Sequence, residues 1–362
     1  MKSENSTRET KPNKISLGDI ARIAGISTTS AGCALRNLPG VSEKTRRQVL
    51  QIAERLGYFP DPRLSTRMAG IRQTINKDLL PVVWLNSERE KDAWKQHSYL
   101  APYREGAQKC LQTLGYRIEE IWTRTPGFTM RRLAQTINYQ RISGVFITGP
   151  CKHIRLKWDE LAAVSIGEGL MAPPLHRVAT DIVFNFGLAL KMVKRFGYRR
   201  IGVSLTEEAD RFSRHGIRFM ISYFNQTLPK SRRVEPLFMG HVGPYEDERL
   251  FPAWIKKERP DVIIGANNLL VQWVKKAGFS VPREVGIVHI ATDDDVIDWA
   301  GVYANKREVG RVAAEKLVSL MEHRQYGIPE VASTTFVPGI WRPGSTLLAP
   351  KLKVRESALC AA

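Results

Sequence analysis

The stretch Ile15–Leu35, ISLGDIARIAGISTTSAGCAL, constrains this chain more than any other. Apolar Leu17, Ile20, Ala21 and Ala24 recur at helical spacing, and Gly25 then supplies a residue able to turn the backbone at positive φ. Ser27 follows as a helix N-cap, so a second short helix is expected over Thr28–Leu35. Small Ala21 stands where that helix has to cross closely, and Ile26, Ala31 and Leu35 can seal a shared core. A third helix is expected to begin after Ser42, with Glu43 favourable in its first turn, and to run to Leu56, burying Val49, Ile52, Ala53 and Leu56. Two helices joined by a short Gly-containing turn form the helix-turn-helix arrangement. In such a unit the second helix enters the major groove of DNA, N-terminal residues foremost.

On that reading Thr28, Thr29 and Ser30 face base edges and phosphates, while Arg36, Asn37, Thr45 and Arg46 lie beside the DNA backbone. Ser16, Ser27, Cys33 and Tyr58 complete the set of expected DNA-contacting residues. The plainer alternative makes all of these the solvated face of a small helical bundle. The turn glycine, the cap and the charge together argue for DNA.

The charge argument rests on distribution. Formal net charge is +19 over 362 residues, an excess that favours polyanions, nucleic acid first and anionic membrane second. Residues 1–77 hold fourteen Lys/Arg against six Asp/Glu, roughly threefold the positive charge density of the rest. No apolar run approaches the roughly 18 residues that a membrane span requires, and the polar N-terminus lacks the apolar region of a signal peptide. The four cysteines are scattered and form no CxxC pair, so neither a disulfide framework nor a zinc site is expected. These points place the chain in the cytoplasm, away from membranes.

Further along, residues 1–14 read as a disordered basic tail, 15–60 as the headpiece, and 61–78 as a basic hinge or linker after the prolines Pro60 and Pro62. From about residue 79 strands alternate with amphipathic helices. Strands are expected at Pro81–Leu85, Arg117–Ile121, Gly144–Thr148, Arg200–Leu205, Asp261–Ala266 and Val285–His289. Helices are expected at Pro102–Leu114, Met130–Gln140, Phe184–Phe196, Arg214–Phe224, Leu269–Ala277 and Glu308–His323. Such alternation implies parallel α/β sheets with right-handed crossovers. The domain is expected to span 79–345, leaving 346–362 as a tail.

The segments SLGDIARIAGIS and VSEKTRRQVLQIAERLGYFPDP, with the spacing between them, resemble the headpiece of the lac repressor family. Asp19, Ala21, Ala24, Gly25, Ile26, Ser27, Ala34, Leu35, Val41, Ser42, Thr45, Arg46, Leu56, Gly57, Tyr58 and Pro60 carry the match. The family usually has Thr-Val-Ser-Arg in the recognition helix. Here the run is Ser30-Ala31-Gly32-Cys33, so Cys33 replaces an arginine that commonly reads a base. The resemblance also implies a hinge helix near Pro62–Gly70, where Leu64 and Met68 lie one turn apart and Met68 is the candidate minor-groove wedge. A flexible linker is the alternative reading of that segment.

More weakly, the resemblance continues over the rest of the chain to a periplasmic-binding-protein-like effector domain of two doubly wound α/β subdomains joined by three crossovers. Asp181, Asn267 (in Ala-Asn-Asn), Asp293 (in His-Ile-Ala-Thr-Asp-Asp) and Asn305 occupy motif positions there. Arg211 and Arg214 fall near the position of a pocket arginine, without the usual spacing. Trp94 and Trp299 are candidate ring-stacking residues, with ordinary packing as the alternative. Ligands of open α/β sheets bind at the carboxyl ends of the strands, and a sugar-like effector needs paired donors and acceptors there. The run Asp293-Asp294-Asp295 has no His or Cys beside it and reads as a solvated loop rather than a metal site. No Walker loop, GxGxxG, nucleophile elbow or HExxH occurs, and no cofactor is expected.

These observations imply a homodimeric regulator, a repressor by expectation, that binds double-stranded operator DNA under control of a sugar-like effector. The tail after Gly344 lacks heptads for a tetramerising coiled coil. The alternatives are a cytoplasmic solute-binding protein and an α/β enzyme with a DNA-targeting module.

Overall fold

The computed structural model describes residues 15–35, 40–56, 79–87, 91, 100–148, 156–167, 173–242, 245–246 and 248–348. The expectations for residues 1–14, Arg36, Asn37, Tyr58, Leu64, Met68 and Trp94 lie outside them. Two compact units are present, the headpiece and an α/β unit that begins at Leu80.

Capping residues set the ends of the headpiece helices. Helix α1 (Leu17–Ala24) opens with a capping box, in which Ser16 Oγ accepts from the Asp19 amide and the Asp19 carboxylate accepts from the Ser16 amide. Gly25 ends it at φ +67°, the left-handed region that glycine enters without cost. Ser27 Oγ accepts the Ser30 amide at 3.0 Å at the start of α2 (Thr28–Leu35). Ser42 does the same for Thr45 at 3.1 Å at the start of α3 (Glu43–Arg55). Ile20, Ala24, Ala34, Val49, Ile52 and Ala53 form the core, with Ile26, Leu35 and Leu56 packed at its edge.

The second unit holds two six-stranded sheets. Its elements in order are β1 (Leu80–Asn86), α4 (Ala101–Thr113), β2 (Tyr116–Trp122), α5 (Met130–Tyr139), β3 (Gly144–Thr148), β4 (Ala162–Ile166) and β5 (His176–Thr180). Then come α6 (Ile182–Arg195), β6 (Ile201–Thr206), α7 (Glu207–Phe212), α8 (Gly216–Gln226), β7 (Leu237–Met239) and a small hairpin of β8 (His241–Val242) and β9 (Tyr245–Glu246). The chain closes with α9 (Phe251–Glu258), β10 (Val262–Gly265), α10 (Leu270–Lys276), β11 (Gly286–Thr292), β12 (Gly301–Tyr303), α11 (Lys306–Glu322), β13 (Thr334–Val337) and β14 (Ile340–Arg342).

Sheet one has the order β13-β5-β4-β3-β1-β2 and is parallel throughout. Sheet two has the order β14-β12-β11-β10-β6-β7 and is parallel except for the antiparallel edge strand β14. Each sheet is covered on both faces. Helices α4 and α11 supply Tyr103, Ala107, Val309 and Leu317 to one face of sheet one, and α5 supplies Leu133 and Ile137 to the other. On sheet two, α6 and α8 cover one face and α9 and α10 the other. Double coverage explains why β3 and β4 are buried along their whole length rather than at alternate residues.

The chain passes between the sheets three times, at β5 to α6, at β12 to α11 and at β13 to β14. The expected strands and helices all occur, with shifts of a few residues at their ends. Strands β4, β5, β7 to β9 and β12 to β14 and the short helices α7 and α9 were not anticipated, because two- to five-residue strands set by pairing and helices of six to eight residues carry too little periodicity of their own. The fold also continues past residue 345, where the tail was expected to start. Thr346 Oγ1 donates to the Ile287 carbonyl and accepts from the Ala300 amide, and Leu347 is buried in the core of sheet two.

Candidate functional sites

In the headpiece, burial of Ala31, Gly32 and Ala34 against the other helices turns the remaining side of α2 outward. Ser27, Thr28 and Thr29 are exposed, and Ser30 and Cys33 are half-buried. The Ser27 and Ser30 hydroxyls bond each other at 2.9 Å. Ser16 is committed to its capping box, which holds the Asp19 carboxyl below the usual range, chiefly through the Ser16 hydroxyl. Thr45 is half-buried, with its hydroxyl 2.8 Å from that of Ser42. Arg46 does not extend freely from the surface. Its side chain is only 14% exposed and leans toward Glu43 at 3.4 Å, whereas its neighbour Arg47 is 76% exposed. Arg47 and Arg22 are therefore outward cations that the sequence reading passed over.

In the second unit the candidates gather at two places, the carboxyl ends of the sheet-two strands and the crossovers. Gly265 of β10 pairs with His289 of β11, so Asn267 and Asp293 follow neighbouring strand ends. The Asn267 side chain accepts the Leu269 amide at 2.6 Å, fixing the turn into α10. Asp293 is buried, and Lys306 from the second crossover reaches it at 3.1 Å. Asp294 is bound by Arg307, which also binds Glu105 of α4 at 2.8 Å and the Tyr303 hydroxyl at 3.2 Å. The acidic run is thus countered by two cations from α11. Lys306 and Arg307 are the main residues that sequence reasoning missed.

Asp181 and Asn305 hold the crossovers. Asp181 caps α6 through the Phe184 amide at 2.9 Å. Asn305, at φ +52°, donates from Nδ2 to the Pro338 carbonyl and so links the second crossover to the third. Fully buried Asn185 adds another tie, donating to the Ile290 carbonyl and accepting the Gly339 amide at 2.8 Å. A Cβ at Gly339 would lie 2.7 Å from both Asn185 Oδ1 and the Tyr303 carbonyl, so only glycine passes there. No sequence signal marked Asn185.

Arg211 and Arg214 are exposed around the turn between α7 and α8, and Arg214 sits at φ +54°. The structure gives neither a bond to the strand-end residues. Trp299 is half-buried against the outer core of sheet two, edge-on to His289 with ring centroids 6.1 Å apart. His289 is itself buried, its Nδ1 accepting the Ala291 amide at 3.1 Å, and burial drives its pKa down to about 4. Among the described residues the buried hydroxyls of Ser204 and Thr292 have no protein hydrogen-bond partner.

On sheet one, the strand-end residue Asn86 donates to Glu120 at 2.8 Å, and Thr148 closes β3. Two surface hollows of about 460 and 490 Å³ lie elsewhere, one beside Trp158 and Ile328, the other beside Arg218 and Glu235. Among the described residues no helix is long and apolar enough to cross a membrane.

Residues 16–61 match the model for bacterial regulatory proteins of the lacI family, and residues 191–347 match the periplasmic binding protein-like domain. The headpiece is a lacI-family domain, joined in this chain to a periplasmic binding protein-like domain. This chain is 38% identical over 47 positions to the probable HTH-type transcriptional repressor ExuR of Bacillus subtilis (strain 168), a match covering 13% of this chain and 14% of that protein. The fold is similar to that of the transcriptional regulator CelR in complex with cellobiose, with TM-score 0.55 and 16% identity over 92% of this chain and 99% of the other. It is also similar to the lac repressor dimer bound to operator and the anti-inducer ONPF, with TM-score 0.53 and 16% identity over 93% and 100% of the two chains.

Proposed function

We propose that the chain is a sequence-specific transcriptional repressor, active in the cytoplasm as a homodimer, whose affinity for double-stranded operator DNA is set by a small polyhydroxylated effector of the sugar class. The observation that carries the reading is the pairing in one chain of an outward α2 face with a two-sheet unit whose strand ends present buried polar groups. The lacI-family headpiece and the fold shared with a cellobiose-bound regulator support it. Thr28, Thr29 and Cys33 face the bases, and Arg22 and Arg47 lie toward phosphates.

Asn267 and the Asp293–Lys306 pair contact the effector, with Asn305 and Asp181 fixing the crossovers around it. Lys306 changes what Asp293 offers. Instead of a bare carboxylate, the site presents an acceptor and a donor side by side, which suits vicinal hydroxyls. Effector binding alters how the two subdomains close, and DNA binding and effector binding then influence each other's affinity by the same factor.

The test is selection of duplexes from a random pool by the full-length protein, followed by titration of the selected duplex against a panel of sugars that includes cellobiose. A steep fall of log affinity with log salt and a sugar-dependent change in affinity are expected. Enrichment of no sequence would overturn the proposal.

A further inference from the structure

The outward face of α2 consists of short side chains only. With Ala31, Gly32 and Ala34 buried, and the Ser27 and Ser30 hydroxyls bonded to one another, Thr28, Thr29 and Cys33 are what remains to meet a base. Thr29 and Cys33 are four residues apart and share one helical face. Specific reading of guanine in the major groove normally uses Arg or Lys, and of adenine Asn or Gln. None of these occurs between Ser27 and Leu35. The set offers two side-chain methyl groups, a thiol and two hydroxyls; the hydroxyls can bond to either purine and so discriminate little, whereas the apolar mark that the methyls and thiol recognise in the major groove is the C5 methyl of thymine. Short side chains also bring the backbone close to the bases, since an α-helix about 10–12 Å across fills a groove about 12 Å wide.

We propose that Thr28, Thr29 and Cys33 read thymine methyl groups, so that the half-site pairs facing α2 are A·T and not G·C. The inference rests on the operator-binding reading above and narrows it to a class of base. The test uses the full-length protein and the duplex it selects from a random pool, with each thymine replaced singly by deoxyuridine. The altered partner is the DNA, so folding of the protein is not in question. Loss of affinity of about fourfold per methyl is expected at one to three positions in each half-site, from the transfer value of one buried methyl. The variant Cys33→Arg should shift selection toward guanine at one of those positions. A selected sequence that tolerates deoxyuridine at every position, or that carries guanine opposite α2, overturns this inference and leaves the operator reading standing. Enrichment of no sequence overturns both.

Discussion

Lys306 and Asp293 show how one residue can redefine a site. Both are buried and 3.1 Å apart, and removing one partner of such a pair takes away the opposite charge against which the other is buried. Lys306→Met should therefore cost about 3–5 kcal/mol in denaturant unfolding, and adding Asp293→Asn should recover part of that loss. His289 contributes in a different way. Its folded pKa of about 4 lies below the ordinary 6.5, so between those values the unfolded chain binds the extra proton and stability falls as pH falls. The contribution is complete above pH 6.5 and is lost progressively toward pH 4, up to roughly 3 kcal/mol. Unfolding midpoints across that range should flatten in His289→Gln. Neither residue was legible as structure in the sequence. Asp293 was found from its motif, but Lys306 lies 13 positions away and meets it only once β12 has formed. The partners of Asn185 are 105 and 154 positions away.

Secondary-structure elements were more legible, and for a local reason. Gly25, Ser27 and Ser42 act on residues within four positions of themselves, so two caps and the turn could be placed from sequence alone, whereas Ser16, read as a DNA contact, also proves to be a cap. Ser42→Ala should lower the stability of the headpiece by about 1 kcal/mol, measured as a shift in its melting transition. Contacts between elements were not legible in this way. Helices α4 and α11 approach so closely that a Cβ on Gly106 would lie 1.8 Å from the Arg307 carbonyl oxygen, and one on Gly310 would lie 1.9 Å from that of Tyr103. Gly310→Ala must push the helices apart, and a loss of about 1–3 kcal/mol is expected from thermal unfolding.

At the scale of the whole α/β unit, Arg307 joins parts that have to move if the subdomains close differently. It reaches Asp294 from sheet two and Glu105 from the helical layer of sheet one. Both bonds are partly exposed, so their contribution to stability is small, and the effect belongs to the balance between conformations. Arg307→Ala should leave the melting temperature nearly unchanged. It should broaden the distance distribution between spin labels placed on the two subdomains and narrow the difference in operator affinity with and without effector. An unchanged distribution would show that Arg307 does not restrain closure.

The three crossovers also bear on how such a chain is made and inherited. Sheet one lacks α11 and β13 until the ribosome has passed residue 337, long after all the strands of sheet two except β14 have been translated. The first half to be synthesised thus stays incomplete until nearly the whole unit has been made, and a nascent chain carries its open edge for most of translation. For the same reason a single recombination breakpoint cannot exchange one half for that of a relative. Three junctions would have to be spliced in register, so sensitivity to a new metabolite is more readily acquired by point substitution at the strand ends.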